Sequence, residues 1–579
     1  MARTREEMFA KLKASPRVQA LVVGGGINGI SAFRELALQG VQVLLVERGD
    51  FCGACSSAPS RMIHGGLRYL ENGEINLVRE SLHERDALLR NAPHLVAPLP
   101  TTVPIQHRFS GLLNGVFGVI GRRSAPAERG ALAVKMGLAL YDYLSRNRRT
   151  MPRHVFRGRA ETARLWPDLP PSVRFSATYY DAWISYPERL GIELVRDGLD
   201  AHPQALAINH LEVSGRDGAR VVLTDAQTGA AVAVTAEVIL NATGAWVDET
   251  NATLAEASAP HPLVGGTKGS HLILDHPMLL RALNGHMLYF ENVDGRVCIV
   301  FPYLGKVLLG STDIRVERPG AVRCEDEEVA YILKSLSYVF PGIAVAPDQI
   351  VYRYSGVRPL LRSDASFTGR ISRDHFVERI AGTPPTLCLV GGKWTTFRAF
   401  GAQAADQALA ILGKPRSIDT ASRRIGGGIG FPADAAGQEV LISGLSAEFD
   451  VPREHASHAV SLYGTNAGRV LAFCRDAPDA PLSNSGYTRN EIRYLVRHEH
   501  ARTLADILQR RTALAITGAL SSAAISETAA ILAEELGWSP QKTGDAERDF
   551  RTLLAEDHGL TEDILAERDR NRTRSLVCA

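Results

Sequence analysis

The sequence predicts an α/β protein in which a nucleotide-binding part is joined to an antiparallel-sheet part and a C-terminal helical domain. Three features predict it: a strand–glycine turn–helix–strand unit near the N-terminus, alternating apolar segments through the middle, and an amphipathic helical tail.

The first unit organises the rest. Val18 to Val23 is an apolar run rich in β-branched residues, as a strand buried on both faces requires. Gly24-x-Gly26-x-x-Gly29 comes next. The first glycine permits a tight turn, the second a close approach to pyrophosphate, and the third close packing of helix on strand. Ser31 to Gln39 carries the helix, whose N-terminus offers unpaired N–H groups to an anion, and Gly40 ends it. A second strand, Val41 to Val46, leads into Glu47, 18 residues after Gly29 and placed to accept hydrogen bonds from a ribose diol. The complete unit points to a bound dinucleotide.

Composition sets the outer bounds. A chain of 579 residues is too long for one core, so several domains are expected. Apolar content of 45%, charge of 22% and a net charge of +2 describe an ordinary soluble protein and argue for no anionic partner overall. Seven cysteines, odd in number and spread from Cys52 to Cys578, do not form a disulfide framework, and a reducing cytosol is the expected home. Met1 to Pro16 lacks the apolar core of a secretory signal, and no run is apolar and long enough to span a bilayer. Residues 1–17 read as a charged extension without evident chemistry.

After Glu47 the stretch Asp50 to Leu70 is dense in Gly, Ala and Ser, as expected where backbone lies against a flat ligand. Its Cys52-x-x-Cys55 invites a redox-dithiol reading. The setting after a second strand favours small residues packed near a cofactor instead. Glu71 to Asn91 has helical apolar spacing, and Pro93, Pro98 and Pro104 keep the next stretch from continuing it. Ile105 to Arg149 sets two short apolar blocks among eight cations against Glu128 and Asp142, a local balance of +6. Such a mixture suits an anionic membrane surface or, equally, a solvated loop before a core helix.

Phe175 to Tyr186 is aromatic and β-prone, Pro187 to Leu199 helical, and Ala205 to Leu223 a meander turning at Gly215–Gly218. Ala236 to Ala242 is a further buried strand that ends in Ala242-Thr243-Gly244. After the opening unit, that ending favours FAD over NAD. Gly265–Leu274, Met287–Val300 and Lys306–Thr312 alternate as an antiparallel sheet over the cofactor would, and Glu325–Tyr338 is helical. Val351–Leu361 comes next. Leu387 to Val390 meets Gly391 and Gly392 before the helix Arg398–Ile411, a junction whose N–H groups can face a flavin edge or a phosphate. From about Ser417 helices dominate, with Glu491–Arg511 and Ala523–Leu536 as amphipathic runs. The boundaries expected are 18–100, 190–255 and 350–412 for a discontinuous FAD-binding domain, 101–189 and 256–349 for a substrate domain, and 420–579 for the helical domain.

These motifs together resemble the FAD-dependent, quinone-linked glycerol-3-phosphate dehydrogenases and their oxidase relatives. The resemblance runs through Ile63-His-Gly-Gly-Leu-Arg-Tyr-Leu, Ala92-Pro-His-Leu, Asn241-Ala-Thr-Gly-Ala-Trp-Val and Thr267-Lys-Gly-Ser-His. It continues through Gly310-Ser-Thr-Asp, Tyr354-Ser-Gly-Val-Arg-Pro-Leu, Ile371-Ser-Arg-Asp, Gly391-Gly-Lys-Trp-Thr-Thr-Phe-Arg, Tyr494-Leu-Val-Arg-His-Glu and Leu508-Gln-Arg-Arg-Thr. It covers nearly the whole chain. It implies a Rossmann-like FAD-binding domain, an antiparallel-sheet substrate domain and a C-terminal helical cap.

The activity implied is oxidation of glycerol 3-phosphate to dihydroxyacetone phosphate, with hydride passing from C2 to flavin N5 and electrons going on to a membrane quinone. By resemblance Arg358 steadies the developing alkoxide and His271 is the candidate base. Arg68, Tyr69, Arg373, Lys393 and Thr395 match the substrate pocket, where a phosphate dianion wants guanidinium forks and hydroxyls. Gly24, Gly26, Asn28, Gly29, Glu47, Ser56, Ser57, His64, Gly65, Gly66, Thr243, Gly244, Gly391, Gly392, Lys393 and Thr396 are expected to hold FAD. No metal and no nucleic acid are expected; a homodimer is compatible. On their own, Arg68 and Arg373 read as surface cations and His271 as a structural histidine.

Three departures bear on the substrate and acceptor. Arg61 stands where the family commonly has Lys, Cys55 where it has Thr, and the segment 105–149 is longer and more basic. A tetritol phosphate such as erythritol phosphate would use the same cations, and O2 could replace the quinone. An amino-acid oxidase would need a carboxylate clamp, and an RNA-modifying flavoprotein a broad basic face that the acidic stretch Glu527–Asp557 discourages. The expected location is the cytoplasmic face of the inner membrane, through 105–149.

Overall fold

The computed structural model describes residues 3–67, 74–106, 135, 137–142, 151–255, 261–292, 294–362, 371, 373–483 and 485–577. Arg68 and Tyr69, and most of 105–149, lie outside the described residues.

Arg17–Val23 lies inside a parallel sheet, where Val18, Ala20, Leu21 and Val22 are buried. Val43–Val46 and then Leu206–Ile208 pair beside it in parallel on one side. Ala231–Asn241 and then Thr386–Gly391 do so on the other, and His375–Ile380 closes that edge antiparallel. The chain thus switches sides at Arg17–Val23, and its C-terminal end is where a doubly wound sheet receives a ligand. The helix Ile27–Leu38 covers the sheet and is itself covered by Pro187–Ala201 and Phe397–Ile411. Small residues allow the approach: a Cβ on Gly401 would strike Ser31, and one on Gly198 would strike Phe33.

The second sheet is mostly antiparallel. Ile350–Leu361 pairs along Val264–Leu274, followed by Lys306–Gly310, Val297–Tyr303, Met287–Glu291, Val96–Ile105, Phe175–Ile184 and Met62–Ile63. Helices from Ala435–Phe449 to Glu562–Val577 form the C-terminal layer. Their core, including Leu495, Leu508 and Leu532, is continuous with Phe301, Tyr303 and Tyr352 of this sheet. Among the described residues no helix is long and apolar enough to cross a membrane.

Several expectations change. Residues 1–17 contain the helix Arg5–Ala14, which buries Met8 and Leu12 and pairs Arg5 with Asp225 at 3.0 Å. Thr4 caps it in a capping box with Glu7, a local signal that its charges had obscured. The expected meander separates: Leu206–Ile208 joins the parallel sheet, while Leu211–Asp217 and Arg220–Asp225 form a hairpin turning at Gly218 alone. Met287–Val300 is two strands, Met287–Glu291 and Val297–Tyr303. Glu491–Arg511 is not one helix. It breaks after His498, His500 takes a positive φ of 59°, and a π-helical turn resumes at Asp506–Arg511.

Candidate active site

A cavity of about 740 Å³ opens at the switch point of the parallel sheet. Gly24, Gly26, Asn28, Glu47, Ser56, Thr243, Gly244, Gly392 and Lys393 line it. At its base the helix Ile27–Leu38 starts without a side-chain cap on Gly26, leaving N–H groups for an anion. Gly29 is obligatory behind it, because a Cβ there would fall on the Gly24 carbonyl. The Ile27 N–H donates to Ser56 Oγ at 3.0 Å. Glu47 accepts the Gly25 N–H at 2.6 Å and the Gly49 N–H at 2.8 Å. Burial raises the Glu47 carboxyl, and these two donors work against that rise.

The far wall is the Gly391–Gly392 junction, whose φ angles are 81° and 93°. Asn28 Nδ2 donates to the Gly391 carbonyl at 3.1 Å, tying the start of the first helix to this junction. A Cβ on Gly392 would lie 2.6 Å from Asn28 Nδ2. Trp394 Nε1 donates to the Ser56 carbonyl at 3.1 Å, and Thr395 Oγ1 accepts the His64 N–H at 3.2 Å. Thr396 precedes the helix Phe397–Ile411 with its hydroxyl buried and unpartnered among the described residues. Lys393 Nζ donates to Ser81 Oγ at 2.8 Å, and burial lowers its ammonium to about 7.

Gly65 is held from behind. Its N–H donates to Asp181 at 2.8 Å, and the same carboxylate oxygen receives Tyr141 at 2.7 Å and Arg85 at 3.1 Å. Burial, with the cations Lys393, Arg373 and Arg85 against it, lowers the His64 imidazole to about 4. Gly66 follows with a φ of 80°. Ser57 bonds the Ala54 carbonyl at 2.9 Å and is not on the cavity wall.

The antiparallel sheet supplies the polar face next to this cavity. Thr267 pairs with Arg358 and His271 with Tyr354 across adjacent strands. The even spacing of 267, 269 and 271 puts His271 and Arg358 on one face. Gly269 leaves the room that the Arg358 guanidinium occupies, and Gly310 leaves room for the His271 ring. Arg358 pairs with Asp313 at 3.1 Å, and Arg373 reaches the same carboxylate at 3.6 Å. Val357 and Pro359, either side of Arg358, line the cavity with Cys55. His271 is buried, and neither ring nitrogen has a hydrogen-bond partner among the described residues. Burial, then the charges of Arg358 and Arg61, lower its imidazole to about 3, so it is neutral at physiological pH.

The surroundings of the cysteine pair do not favour a reactive thiolate. Cys52 packs under Gly191, and burial raises both the Cys52 and Cys55 thiols, the opposite of a reactive thiolate. Residues not foreseen also shape the site. Arg48 stacks 4.4 Å over Trp246 on the cavity wall, Ser81 holds Lys393, and Asp313 holds both arginines. Asp313 stood in the Gly310-Ser-Thr-Asp motif; Ser81 gave no signal.

The fold and this cavity define an oxidoreductase built around a dinucleotide. A family model described as FAD dependent oxidoreductase matches residues 19–398, and one described as the C-terminal domain of alpha-glycerophosphate oxidase matches 418–543. Glycerol-3-phosphate dehydrogenase of Synechocystis is 32% identical over 90% of this chain and 93% of its own length. D-erythritol 1-phosphate dehydrogenase of Brucella abortus is 30% identical over 85% of this chain and 93% of its own. The crystal structure of glycerol-3-phosphate dehydrogenase from Bacillus halodurans with FAD shares the fold at a TM-score of 0.73 and 22% identity, covering 95% of this chain and 97% of that one. The chain belongs to the FAD-dependent glycerol-3-phosphate dehydrogenase family. Its cofactor is FAD, which the open helix terminus, the Glu47 carboxylate and the glycine junction fit.

Proposed function

We propose that the chain oxidises sn-glycerol 3-phosphate to dihydroxyacetone phosphate and passes the electrons to a membrane quinone. One observation carries the reading most: a neutral His271, unpartnered among the described residues, shares a sheet face with the Arg358 guanidinium beside the cofactor cavity. A buried imidazole left without a partner costs about 1–3 kcal/mol, which a substrate hydroxyl offsets when it binds. FAD, when bound, supplies the acceptor for the C2 hydride. His271 takes the hydroxyl proton, and Arg358 stabilises the alkoxide that develops on the same oxygen. Arg373 and Lys393, with Arg68 and Tyr69, hold the phosphate, and Thr395 keeps the His64 loop in place.

A tetritol phosphate is the second reading, favoured by the Brucella abortus relative, which is named for D-erythritol 1-phosphate. An anaerobic flavin-bleaching screen separates them. The yellow protein is mixed with glycerol 3-phosphate, erythritol phosphates, glycerol and amino acids in turn. Bleaching by glycerol 3-phosphate at the lowest concentration supports the first reading, and bleaching by an amino acid alone defeats both. Re-oxidation of the bleached protein by a soluble quinone faster than by O2 supports the acceptor.

The basic–apolar balance of 105–149 supports docking on anionic lipid at the cytoplasmic face of the inner membrane. Flotation with anionic vesicles tests it. Equal flotation of wild type and a variant carrying Arg122→Glu, Arg123→Glu and Arg129→Glu rejects it.

A further inference from the structure

The C-terminal helical domain supplies part of the cofactor cavity. Thr503, Asp506 and Arg510 line it together with Gly24, Gly26 and Glu47, which lie at the other end of the chain. Of the three, only Arg510 falls in a motif of the resemblance, Leu508-Gln-Arg-Arg-Thr, and none was among the residues expected to hold FAD.

A charge network holds them there. Asp50, three residues after Glu47, receives Arg511 at 2.7 and 2.8 Å and Arg510 Nε at 2.8 Å. Asp506 receives Arg510 Nη2 at 2.6 Å and bonds His210 Nε2 at 2.9 Å. Asp506 also takes the backbone N–H groups of Arg502 at 2.8 Å and Thr503 at 3.0 Å. Asp50, His210 and Asp506 lie close enough to hold a metal, but Arg510 and Arg511 already answer both carboxylates. The network is a docking joint with one face on the cavity.

Arg510 keeps a donor open in that joint. Its Nε and Nη2 are engaged, and its Nη1 makes no hydrogen bond among the described residues. The other cations on the wall are occupied, Arg48 by the Trp246 ring and Lys393 by Ser81. The wall also carries Glu212 and Glu249 besides Glu47, so a pyrophosphate arriving there needs more positive charge than a helix terminus gives. A guanidinium braced by two carboxylates is fixed in direction and suited to phosphate or ribose oxygens. We propose that Arg510 donates a hydrogen bond to the ADP half of FAD, which makes the C-terminal helical domain a wall of the cofactor site.

Full-length apoprotein, stripped of flavin, is titrated with FAD, ADP and riboflavin. Arg510→Gln is expected to weaken FAD and ADP alike by about tenfold or more, the loss of a charge-assisted hydrogen bond, and to leave riboflavin, which lacks the ADP half, unchanged. Unchanged FAD affinity, or an equal loss for riboflavin, overturns the proposal. Hydrogen exchange on wild-type apoprotein needs no variant. ADP is expected to slow exchange of the amides in 503–511, and no change in that segment overturns the proposal even if Arg510→Gln fails to fold.

Discussion

His271 stacks on Tyr354 with 5.1 Å between ring centroids and 13° between planes, and nothing among the described residues bonds either ring nitrogen. Tyr354 is itself anchored, its hydroxyl donating to the Pro59 carbonyl at 3.0 Å. The pair fixes the imidazole in direction. His271→Gln keeps the shape and removes the proposed base. Turnover is expected to fall roughly 10²- to 10⁴-fold with the flavin content unchanged. Because the imidazole is held down to about 3, by burial first and then by Arg358 and Arg61, kcat/KM shows no acid limb from it above about pH 5. Steady-state kinetics against pH check both, and a variant with near-normal turnover removes His271 from the mechanism.

Arg358 sits over the bare backbone of Gly269 and shares Asp313 with Arg373. Its donors are therefore braced before any substrate arrives, as stabilisation of a developing charge requires. Arg358→Ala is expected to lower kcat by about 10²- to 10³-fold while FAD stays bound. Arg358→Lys restores only part, since one ammonium cannot reach Asp313 and Ser311 at once as the two guanidinium nitrogens do. Flavin absorbance per protein, measured beside kcat, separates loss of chemistry from loss of cofactor.

What could be read from the sequence was local. The Gly24–Gly29 turn and Glu47 lie within one strand–helix–strand unit, so spacing alone carries their geometry. The motifs around Arg358 and His271 were visible too, but their shared face depends on strand register, which no single segment encodes. The break at His500 within Glu491–Arg511 was hidden because both sides keep helical apolar spacing. The Lys393–Ser81 bond spans 312 residues and the Arg510–Asp50 bond 460, and such pairs exist only once the sheets are assembled.

Gly392 meets two constraints at once, a φ of 93° and a Cβ position 2.6 Å from Asn28 Nδ2. Gly392→Ala therefore displaces Asn28 and with it the 3.1 Å bond to the Gly391 carbonyl that joins the two cavity walls. The variant is expected to purify largely without flavin, with a lower melting temperature that added FAD partly restores. A fully yellow protein with the wild-type melting temperature would show that the junction tolerates a side chain.

In the proposed role of holding the substrate phosphate, Lys393 gives the enzyme a pH dependence. Burial is the larger cause of its fall to about 7, and the carboxylates of Glu80, Glu74, Asp181 and Asp374 oppose that fall. Burial and the Glu84 charge raise Glu80 to about 7 as well, so the two groups titrate in the same range. A lysine with a lowered pKa loses its charge as pH rises, and with it attraction for a phosphate dianion. In the free enzyme kcat/KM is therefore expected to decline on the alkaline side, with a midpoint near the lysine's value of about 7. Glu80→Gln removes a charge that favours the ammonium form and moves the decline to lower pH. Lys393→Arg, whose charge persists throughout, abolishes it. A decline that survives unchanged in Lys393→Arg would assign the titration to another group.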